Sequence, residues 1–479
     1  MENKVYNIHM GEAPCALDLG DGSERAEYVC QDYILNVLGR PHRNINIMYT
    51  YYPKDEQWPE RISVACKDMD IKFQWDYPYD DYFPYGGGIG GSTEGEPFTF
   101  MRDIRKHGQD VTLTLTIDCS LEDEYLRKIA QELRPYGRMK LRINHECSGT
   151  WFTHNKRFSY EEVGKFFVRF AGIIKEEAPN VQTIFCAGFA NNEDGSVEQE
   201  EAFADAYRIA DAWSVDAYLA LHYGWPYDIA EKGGGQYNCA DVDGNYELYK
   251  KTAQRLTELN GGIPKPMMTA EFNADGDVTG PIHQGESVVR FAEKFRDEKA
   301  DWFKAISFYQ FRDRGRLGLE VEDPNNSQIG ITQPIMKEYK KLLNDPYFMP
   351  EMKIGDEQEF PCKLRWGGAE DADGLAIKIP FENSPEFCEI TFEEELNLML
   401  EINGRWFYKA PHTKTIDLMP AFFDAPLECG KELTLKIFAP PAEGVNDQLE
   451  NNDWDMNYYT EMTKMPSLRI RYEPVGVVG

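Results

Sequence analysis

The sequence predicts an α/β fold: a (β/α)8 TIM barrel followed by a C-terminal antiparallel β-sandwich. From about residue 44, short β-rich runs alternate with amphipathic helical runs, the pattern of a parallel sheet or barrel. Beyond Pro346 the pattern changes to short β segments separated by Gly, Pro and Asn turns, with no helix-length run. The 479 residues are enough for one large and one smaller domain. We place the barrel at 1–348 and the sandwich at 349–479.

Eight runs are predicted as barrel strands because each is short, apolar and rich in β-branched or aromatic residues. In order they are Asn44–Tyr52, Asp70–Tyr77, Val111–Asp118, Lys140–Glu146, Val181–Phe189, Val215–Tyr223, Pro266–Phe272 and Ala305–Phe311. Apolar residues at helical spacing predict helices at Leu121–Leu133, Tyr160–Glu177, Phe203–Trp213, Glu247–Leu259, Val288–Phe295 and Ile335–Leu343. The segment G-G-G-I-G-G at 86–91 lacks the spacing of a nucleotide-binding motif, so we interpret it as a flexible loop at the barrel rim.

The charge balance restricts the classes of partner. With 82 acidic residues against 51 basic ones, the chain carries a formal net charge of −31. Such a field repels nucleic acid and anionic lipid surfaces, so we expect neither nucleic acid nor membrane as a partner. A neutral small molecule or polymer is the better match. Association into a homo-oligomer is left open.

Cysteine and terminal patterns bear on cofactors and compartment. The ten cysteines form no C-x-x-C pair, so we expect free thiols and no zinc site. Scattered acids also show no metal-ligand spacing, and we predict no metal and no cofactor; these are Asp118, Asp216, Asp275 and Asp277. The N-terminus lacks the basic start and apolar run of a signal peptide, which predicts a cytoplasmic protein.

Two predicted strands deliver a glutamate at their carboxyl ends, where barrel enzymes carry their catalytic groups. The fourth strand places Glu146 at its tip, before a break at Gly149, and the seventh places Glu271 at its tip. On non-adjacent strands of one barrel, the two carboxyl groups can face each other across the mouth. A pair about 5 Å apart suits retaining glycoside hydrolysis, in which one acid protonates the leaving oxygen and the other carboxylate attacks the anomeric carbon.

Residues near these tips are candidate supporting groups. Asn144 and His145 can hold the fourth-strand carboxyl group in one orientation by hydrogen bonds. Arg142 can approach the seventh-strand carboxylate and favour its ionised form, and the Tyr223 hydroxyl can bond to it. A purely structural ion pair inside the barrel is the alternative role for Arg142.

Sugar binding would use aromatic faces and polar groups at the barrel mouth, since apolar C–H faces stack on rings while hydroxyls need hydrogen bonds. Side chains at or just after predicted strand ends meet that requirement: Trp151, His222, Trp225, Asn273, Tyr309 and Gln310. Core packing is the alternative role for any single ring among them.

The segment R-I-N-H-E-C-S-G-T-W-F, 142–152, resembles the acid/base signature of glycoside hydrolase family 26, a clan A family that includes β-mannanases. The matching positions are Arg142, His145-Glu146, Gly149 and Trp151-Phe152. The resemblance extends over roughly 139–312 and implies a (β/α)8 barrel. It also implies that Glu146 is the acid/base and Glu271 the nucleophile. Ser148 departs from the family, which commonly has Asn there.

The predicted function is therefore retaining hydrolysis of β-glycosidic bonds in β-mannan-type or related oligosaccharides, by double displacement with two glutamates. Two alternatives stay open. One is a clan A β-glycosidase with another specificity, for a β-glucoside, β-galactoside or β-xyloside. The other is a carbohydrate-binding protein without catalytic activity. The sequence does not distinguish exo from endo action.

Overall fold

The computed structural model describes residues 4–20, 28–55, 83–149, 152–188, 196–223, 236–239, 241–313, 315–366, 372–381, 383, 385–423, 431–440 and 459–473. Its strands are β1 (Val5–Met10), β2 (Ala16–Gly20), β3 (Asn44–Tyr51), β4 (Asp110–Ile117), β5 (Met139–Ile143), β6 (Val181–Cys186), β7 (Ala212–Ser214), β8 (Ala217–Tyr223), β9 (Gln236–Cys239), β10 (Met267–Ala274), β11 (Phe303–Phe308), β12 (Arg312–Asp313), β13 (Glu320–Asp323), β14 (Asn326–Thr332), β15 (Met352–Glu357), β16 (Cys362–Leu364), β17 (Gly374–Pro380), β18 (Pro385–Thr391), β19 (Leu398–Ile402), β20 (Arg405–Lys409), β21 (Thr415–Asp417), β22 (Glu432–Phe438), β23 (Thr460–Met462) and β24 (Ser467–Tyr472).

Its helices are α1 (Gln31–Leu38), α2 (Phe98–Lys106), α3 (Asp123–Leu133), α4 (Thr153–Arg157), α5 (Tyr160–Glu177), α6 (Ser196–Ile209), α7 (Val242–Leu259), α8 (Gly276–Thr279), α9 (Pro281–Asp297), α10 (Ile335–Leu343) and α11 (Pro420–Phe423), with a 3₁₀ turn at Arg134–Tyr136. None of these helices combines the length and the apolar composition needed to cross a membrane.

Eight parallel strand positions close into a barrel. Strands β2 to β6 pair in chain order, β7 and β8 together form the sixth position, and β10 and β11 form the seventh and eighth. Strand β11 pairs with both β10 and β2, which completes the ring. The (β/α)8 barrel predicted from the sequence is therefore confirmed.

The first barrel strand differs from the prediction. It is β2, so the run predicted as first, Asn44–Tyr52, is the second strand of the barrel. The run predicted as second, Asp70–Tyr77, lies outside the described residues. Strand β2 has only five residues, A-L-D-L-G, and its central Asp18 is buried. So short a run with a charge at its centre gives little periodic signal, which explains why the sequence did not reveal it.

Alternation along β4 shows which side of the barrel wall is polar. Its apolar residues belong to the main hydrophobic core, shared with the surrounding helices: Val111, Leu113, Leu115 and Ile117. The intervening threonines face the barrel interior, since successive side chains in a strand point to opposite sides. Thr114 donates from Oγ1 to Oδ1 of Asn46 on the neighbouring β3 at 3.1 Å. The barrel interior therefore accommodates polar groups below the strand tips.

The sixth barrel strand is interrupted. Strand β10 pairs first with β7 and then with β8, and Val215 and Asp216 lie between the two pieces. The predicted helix Phe203–Trp213 ends earlier than expected, because α6 ends at Ile209 and Trp213 belongs to β7. The Trp213 indole donates to the Tyr207 carbonyl at 2.9 Å. The interruption leaves Asp216 between the two pieces, outside regular strand geometry.

The glycine-rich segment 86–91 is held by hydrogen bonds. The Glu132 carboxylate on α3 accepts from the Gly88 main-chain N–H at 2.8 Å and from the Tyr85 hydroxyl at 2.9 Å. Gly88 has φ of 81°, and a β-carbon at this position would overlap the Tyr51 hydroxyl group. Glycine is needed here for both its backbone conformation and its size.

Antiparallel sheets follow the barrel, as expected, while the sandwich arrangement and the boundary between 1–348 and 349–479 stay predictions. A six-stranded sheet has the order β15-β1-β17-β22-β19-β20, and a three-stranded sheet has the order β21-β18-β24. Both contribute to one hydrophobic cluster. Strand β1, from the N-terminal end of the chain, pairs antiparallel with β15 and β17.

These antiparallel sheets contact the barrel at the ends of its first two helices. Trp406 donates from its indole to the carbonyl of Gly39, just after α1, at 2.8 Å. Trp366 and Met399 approach Gly108, just after α2. Because barrel helices run antiparallel to the strands, these helix ends lie at the face opposite the strand tips.

Candidate active site

The turn after β5 presents Glu146 in an uncommon backbone conformation. Glu146 and Asn144 have φ of 47° and 50°, in the left-handed region that residues other than glycine rarely adopt. Each such residue costs roughly 1 kcal/mol or more, and strain of this kind concentrates at functional sites.

Neighbouring strands hold this turn in place. Asn144 accepts from the Ile117 N–H at 2.8 Å, at the end of β4, and the N–H of Cys147 donates to the carbonyl of Cys186 at 3.0 Å, at the end of β6. The turn is thus fixed on both sides, so the direction of the Glu146 side chain is set by the barrel itself.

Glu271 lies at an irregularity in β10. The register with β11 shifts between Thr269 and Phe272, the kind of bulge that turns a side chain at the rim of a sheet. Two donors meet its carboxylate: Nη1 of Arg142 is 2.6 Å from Oε1, and the Tyr218 hydroxyl is 2.8 Å from Oε2. Both donors stabilise the negative charge, as expected for hydrogen bonds to an ionised group.

Three carboxylates converge at this point. Oxygens of Glu146, Asp216 and Glu271 all lie within 4.8 Å of one another. Glu271 is buried and Glu146 is half-buried, while the Asp216 side chain is only 1% exposed. The fourth, sixth and seventh barrel strands thus bring their acids together at one place.

A fully buried arginine connects two of these acids. The Arg142 side chain is 0% exposed and contacts Glu271 through Nη1 and Asp216 through Nη2. Burial raises the pKa of Asp216 to about 7; the Arg142 charge opposes this rise and the Glu271 charge adds to it. The two carboxylates therefore compete for one cation, and Asp216 is the one that burial drives toward its protonated form.

His145 lies behind the acid turn as a neutral ring. It is 1% exposed, its Nδ1 lies 3.1 Å from Oγ1 of Thr116, and its ring packs 3.9 Å from that of Phe152. Burial lowers the pKa of His145 well below its usual value, and Arg142 and His154 lower it further. An imidazole without charge leaves the ionic state of the site to the acids and Arg142.

The predicted sugar-binding residues that the structure describes differ in their contacts and in their distance from the acids. Asn273 is completely buried, and its amide nitrogen donates to the main-chain carbonyls of Tyr309 and Leu317. Gln310 is 2% exposed and donates to Asp313 at 3.1 Å. Tyr309 packs edge-on against Tyr218, the residue that holds Glu271. Tyr309 is thus next to the acids, while Asn273 ties the ends of two strands together.

Four of the predicted residues cannot be placed in the site. Trp151 and Trp225 lie outside the described residues. His222 and Tyr223 belong to the backbone of β8, but their side chains are outside what the structure describes. The hydroxyl group that reaches Glu271 is that of Tyr218, from the beginning of the same strand.

Sequence reasoning did not select Asp216 and Tyr218 for the site. A signal was available, because they stand two residues apart in the S-V-D-A-Y segment, so both point to one side of an extended chain. The interruption between β7 and β8 hid it, since the strand was predicted to begin at Val215 and its tip was assigned to His222 and Tyr223. The three acids could also hold a cation by their geometry, although Arg142 already supplies positive charge to two of them.

No protein-family model matches the chain, and no curated protein sequence matches it significantly. Among solved structures it is similar to a family 39 glycoside hydrolase from Bacteroides cellulosilyticus, with 10% identity and a TM-score of 0.44 over 89% of this chain and 81% of that one. A family 51 α-L-arabinofuranosidase from Bifidobacterium longum gives 10% identity and a TM-score of 0.45 over 91% and 97%. A family 26 β-mannanase from Bacteroides ovatus gives 11% identity and a TM-score of 0.42 over 70% and 90%.

Proposed function

We propose that this chain is a retaining glycoside hydrolase that cleaves β-glycosidic bonds. The observation that carries the proposal is the approach of the Glu146 and Glu271 oxygens to within 4.8 Å of each other at the tips of two barrel strands. Retaining enzymes hold their two carboxyl groups about 5 Å apart, whereas inverting enzymes need roughly 6.5–9.5 Å to admit a water between acid and sugar.

The surroundings of the two acids support a division of roles. Within the described residues the ionic contacts of Arg142 are to Glu271 and Asp216, so a buried cation lies directly beside the carboxylate that would act as the nucleophile. Glu146 is the more exposed of the pair, and its neighbour His145 is neutral. We assign Glu271 as the nucleophile and Glu146 as the acid/base.

The proposed reaction has two steps. An oxygen of Glu271 bonds to the anomeric carbon as the bond from that carbon to the leaving oxygen breaks, and Glu146 gives its proton to that oxygen. In the second step Glu146 takes a proton from water, whose oxygen attacks the anomeric carbon while the ester bond to Glu271 breaks. Both residues return to their starting states, and the sugar keeps its anomeric configuration.

We propose that Asp216 positions Arg142 and does not contact the sugar. Its carboxylate contacts Nη2 while Glu271 contacts Nη1, so the guanidinium group is fixed from both sides. Tyr218 is a second positioning group, because its hydroxyl holds the other oxygen of Glu271. Of the residues predicted to bind sugar, Tyr309 keeps that proposed role and Asn273 is better explained as a tie between strands.

The proposed substrates are β-mannan-type oligosaccharides or related β-glycans. The support is the segment 142–152, whose Arg142, His145, Glu146 and Gly149 resemble family 26. A clan A β-glycosidase with another specificity is the alternative. A cytoplasmic location, which would favour short substrates, and a C-terminal β-sandwich as accessory domain are part of the same proposal.

Hydrolysis of aryl β-glycosides tests the assignment. Glu146→Ala and Glu271→Ala should each lower kcat by several orders of magnitude, while Glu124→Ala, an exposed position on α3, should leave it unchanged. Azide should rescue Glu271→Gly with an inverted glycosyl azide and Glu146→Gly with a retained one, because the azide replaces a different group in each case. Unchanged turnover in either alanine variant would refute the proposal. Sugar binding in calorimetry without any turnover by the native protein would favour the non-catalytic alternative.

A further inference from the structure

A cavity of about 260 Å³ lies between the barrel and the antiparallel sheets, and its lining includes none of the three acids of the candidate active site. One wall is formed by α2 and the 3₁₀ turn at Arg134–Tyr136, and the other by residues beside β19 and β22 and on β20. It therefore lies near the contact of Trp366 and Met399 with Gly108, at the face of the barrel opposite the strand tips. The proposed hydrolase reaction does not use it.

The cavity is basic in a strongly acidic chain. Among the described residues its lining has three cations, Arg102, Arg105 and Lys106, and one acid, Asp103, although the whole chain carries a net charge of −31. Asp103 is also occupied: it accepts from the Tyr28 hydroxyl at 2.9 Å and from a main-chain N–H at the same distance, and it pairs with Lys106 at 3.1 Å. The local charge is thus opposite in sign to that of the chain as a whole.

Arg102 is the cation without a counter-charge. Within the described residues its hydrogen bonds are to the Thr93 carbonyl at 3.2 Å and the Tyr136 hydroxyl at 3.4 Å, and no carboxylate lies within ion-pair distance. Arg105, in contrast, is paired with Asp110 at 2.6 Å. A half-buried guanidinium bonded only to neutral oxygens retains planar donors suited to an oxyanion.

The opposite wall adds groups that can hold the rest of a ligand. The Tyr408 ring lies 5.2 Å below the Lys106 ammonium group, and the Tyr408 hydroxyl donates to Oδ1 of Asn397 at 2.9 Å. Because Oδ1 of Asn397 is the atom bonded to Tyr408, its amide nitrogen remains a donor at the cavity wall. A ligand here would contact the barrel and the sheets together.

We propose that this cavity binds a small molecule that carries a phosphate or carboxylate group on a body of monosaccharide size. Arg102 would hold the anionic group, and Asn397 and Tyr408 would contact the body. The volume supports a body beyond the anion itself, since water fills about 30 Å³ per molecule and the cavity has space for several times that amount.

Thermal unfolding of the full chain with defined probes tests the site. Glucose 6-phosphate and glucuronate should raise the unfolding midpoint by about 2–4 °C in a saturable way, because a ligand that binds only the folded state stabilises it. Glucose should have no effect at the same concentration, and inorganic phosphate at matched ionic strength should have a smaller one. Aryl glycoside hydrolysis by Arg102→Ala should equal that of the native chain.

Two variants and a control make the outcome decisive. Arg102→Ala should lose the shift, and Arg290→Ala, at an exposed arginine on α9, should keep it. If Arg102→Ala does not fold, Asn397→Asp serves instead: it still accepts from Tyr408 but places a negative charge at the wall, so the shift should again be lost. The proposal is overturned if neither sugar acid shifts the native midpoint, if the variants shift like the native chain, or if inorganic phosphate is equally effective.

Discussion

Arg142 on the fourth barrel strand donates from Nη1 to Oε1 of Glu271 on the seventh at a distance of 2.6 Å. Its other terminal nitrogen contacts Asp216, which lies between the two pieces of the sixth strand. One buried cation therefore faces two carboxylates, with a third, that of Glu146, nearby. Removing the charge of Arg142 or of Glu271 should therefore change the pKa of Asp216.

The stability of Asp216→Asn relative to the native chain should change with pH. Burial raises the pKa of Asp216 from 3.8 to about 7, so between these values the folded state binds more protons than the unfolded state. Stability from this group is therefore lost as pH rises through that window. Urea unfolding at pH 4.5, 6 and 8 should show that the free energy of unfolding of Asp216→Asn increases relative to that of the native chain as pH rises. A difference that is constant with pH would contradict the assignment.

For Asp32 the pH dependence of stability should have the opposite sign. The hydrogen bond with His107 lowers the pKa of Asp32 despite partial burial, so its contribution is present above the ordinary aspartate pKa and is lost as pH falls. Asp32→Asn should therefore be destabilised at pH 6, and the loss should shrink in more acidic solution. If the stabilities of Asp32→Asn and Asp216→Asn, each relative to the native chain, changed with pH in the same direction, local ionisation would not control the stability of either variant.

Tyr218→Phe should lower kcat/KM for aryl β-glycosides by about 10- to 100-fold, since Glu271 loses a hydrogen bond that orients it and stabilises its charge. Tyr207→Phe is the matched control: Tyr207 is buried and makes no side-chain hydrogen bond among the described residues. An unchanged kcat/KM in Tyr218→Phe would show that this hydrogen bond does not position Glu271 for the reaction.

Glycine should be more stabilising than alanine at position 146. Glu146 has φ of 47°, and only glycine adopts the left-handed region without a steric cost, so Glu146→Gly should exceed Glu146→Ala by about 1 kcal/mol in free energy of unfolding. At Glu124, which is exposed within α3, the order should be reversed by about the same amount. Chemical denaturation of the four variants gives both comparisons. If alanine were more stable than glycine at both positions, the turn after β5 would have relaxed in the Glu146→Ala variant.

Asn273→Ala should act through stability. The amide nitrogen of Asn273 satisfies the carbonyls of Tyr309 and Leu317, and its loss leaves buried acceptors unpaired at a cost of roughly 2–4 kcal/mol. Denaturant midpoints measure this cost. Gln328→Ala, on the exposed strand β14, should leave the midpoint nearly unchanged. If Asn273→Ala instead raises KM with an unchanged midpoint, then Asn273 contacts substrate.

Two glycines of the same loop separate a steric effect from a backbone effect. Gly88 and Gly90 have nearly equal φ, 81° and 80°, but a β-carbon at Gly88 would overlap the Tyr51 hydroxyl while one at Gly90 meets open space. Gly90→Ala should cost only the conformational term, about 1 kcal/mol. Gly88→Ala should cost clearly more. Equal losses in thermal unfolding would show that Tyr51 moves aside.

Much of the barrel was predictable because apolar residues recur with different periods in strands and in helices. Glu146 and Glu271 were found because each ends a run of strand-like residues. What could not be predicted depends on contacts between distant segments. Strand β2 is held by its neighbours on both sides and not by its own composition. Asp216 joins the site because β10 pairs with two separate pieces of the sixth strand, and pairing of that kind leaves no local pattern.

Strand β1 lies between β15 and β17, so residues near the start of the chain are bordered on both sides by strands from beyond residue 350. Because β1 precedes the barrel in the chain and its partners follow it, β1 stays unpaired during synthesis while the whole barrel is translated. Its Val5 and Ile8 side chains, buried in the finished protein, are exposed during that interval. Pairing of β1 therefore has to follow translation of the barrel, and this long-range step leaves an unpaired strand edge until β15 and β17 are made.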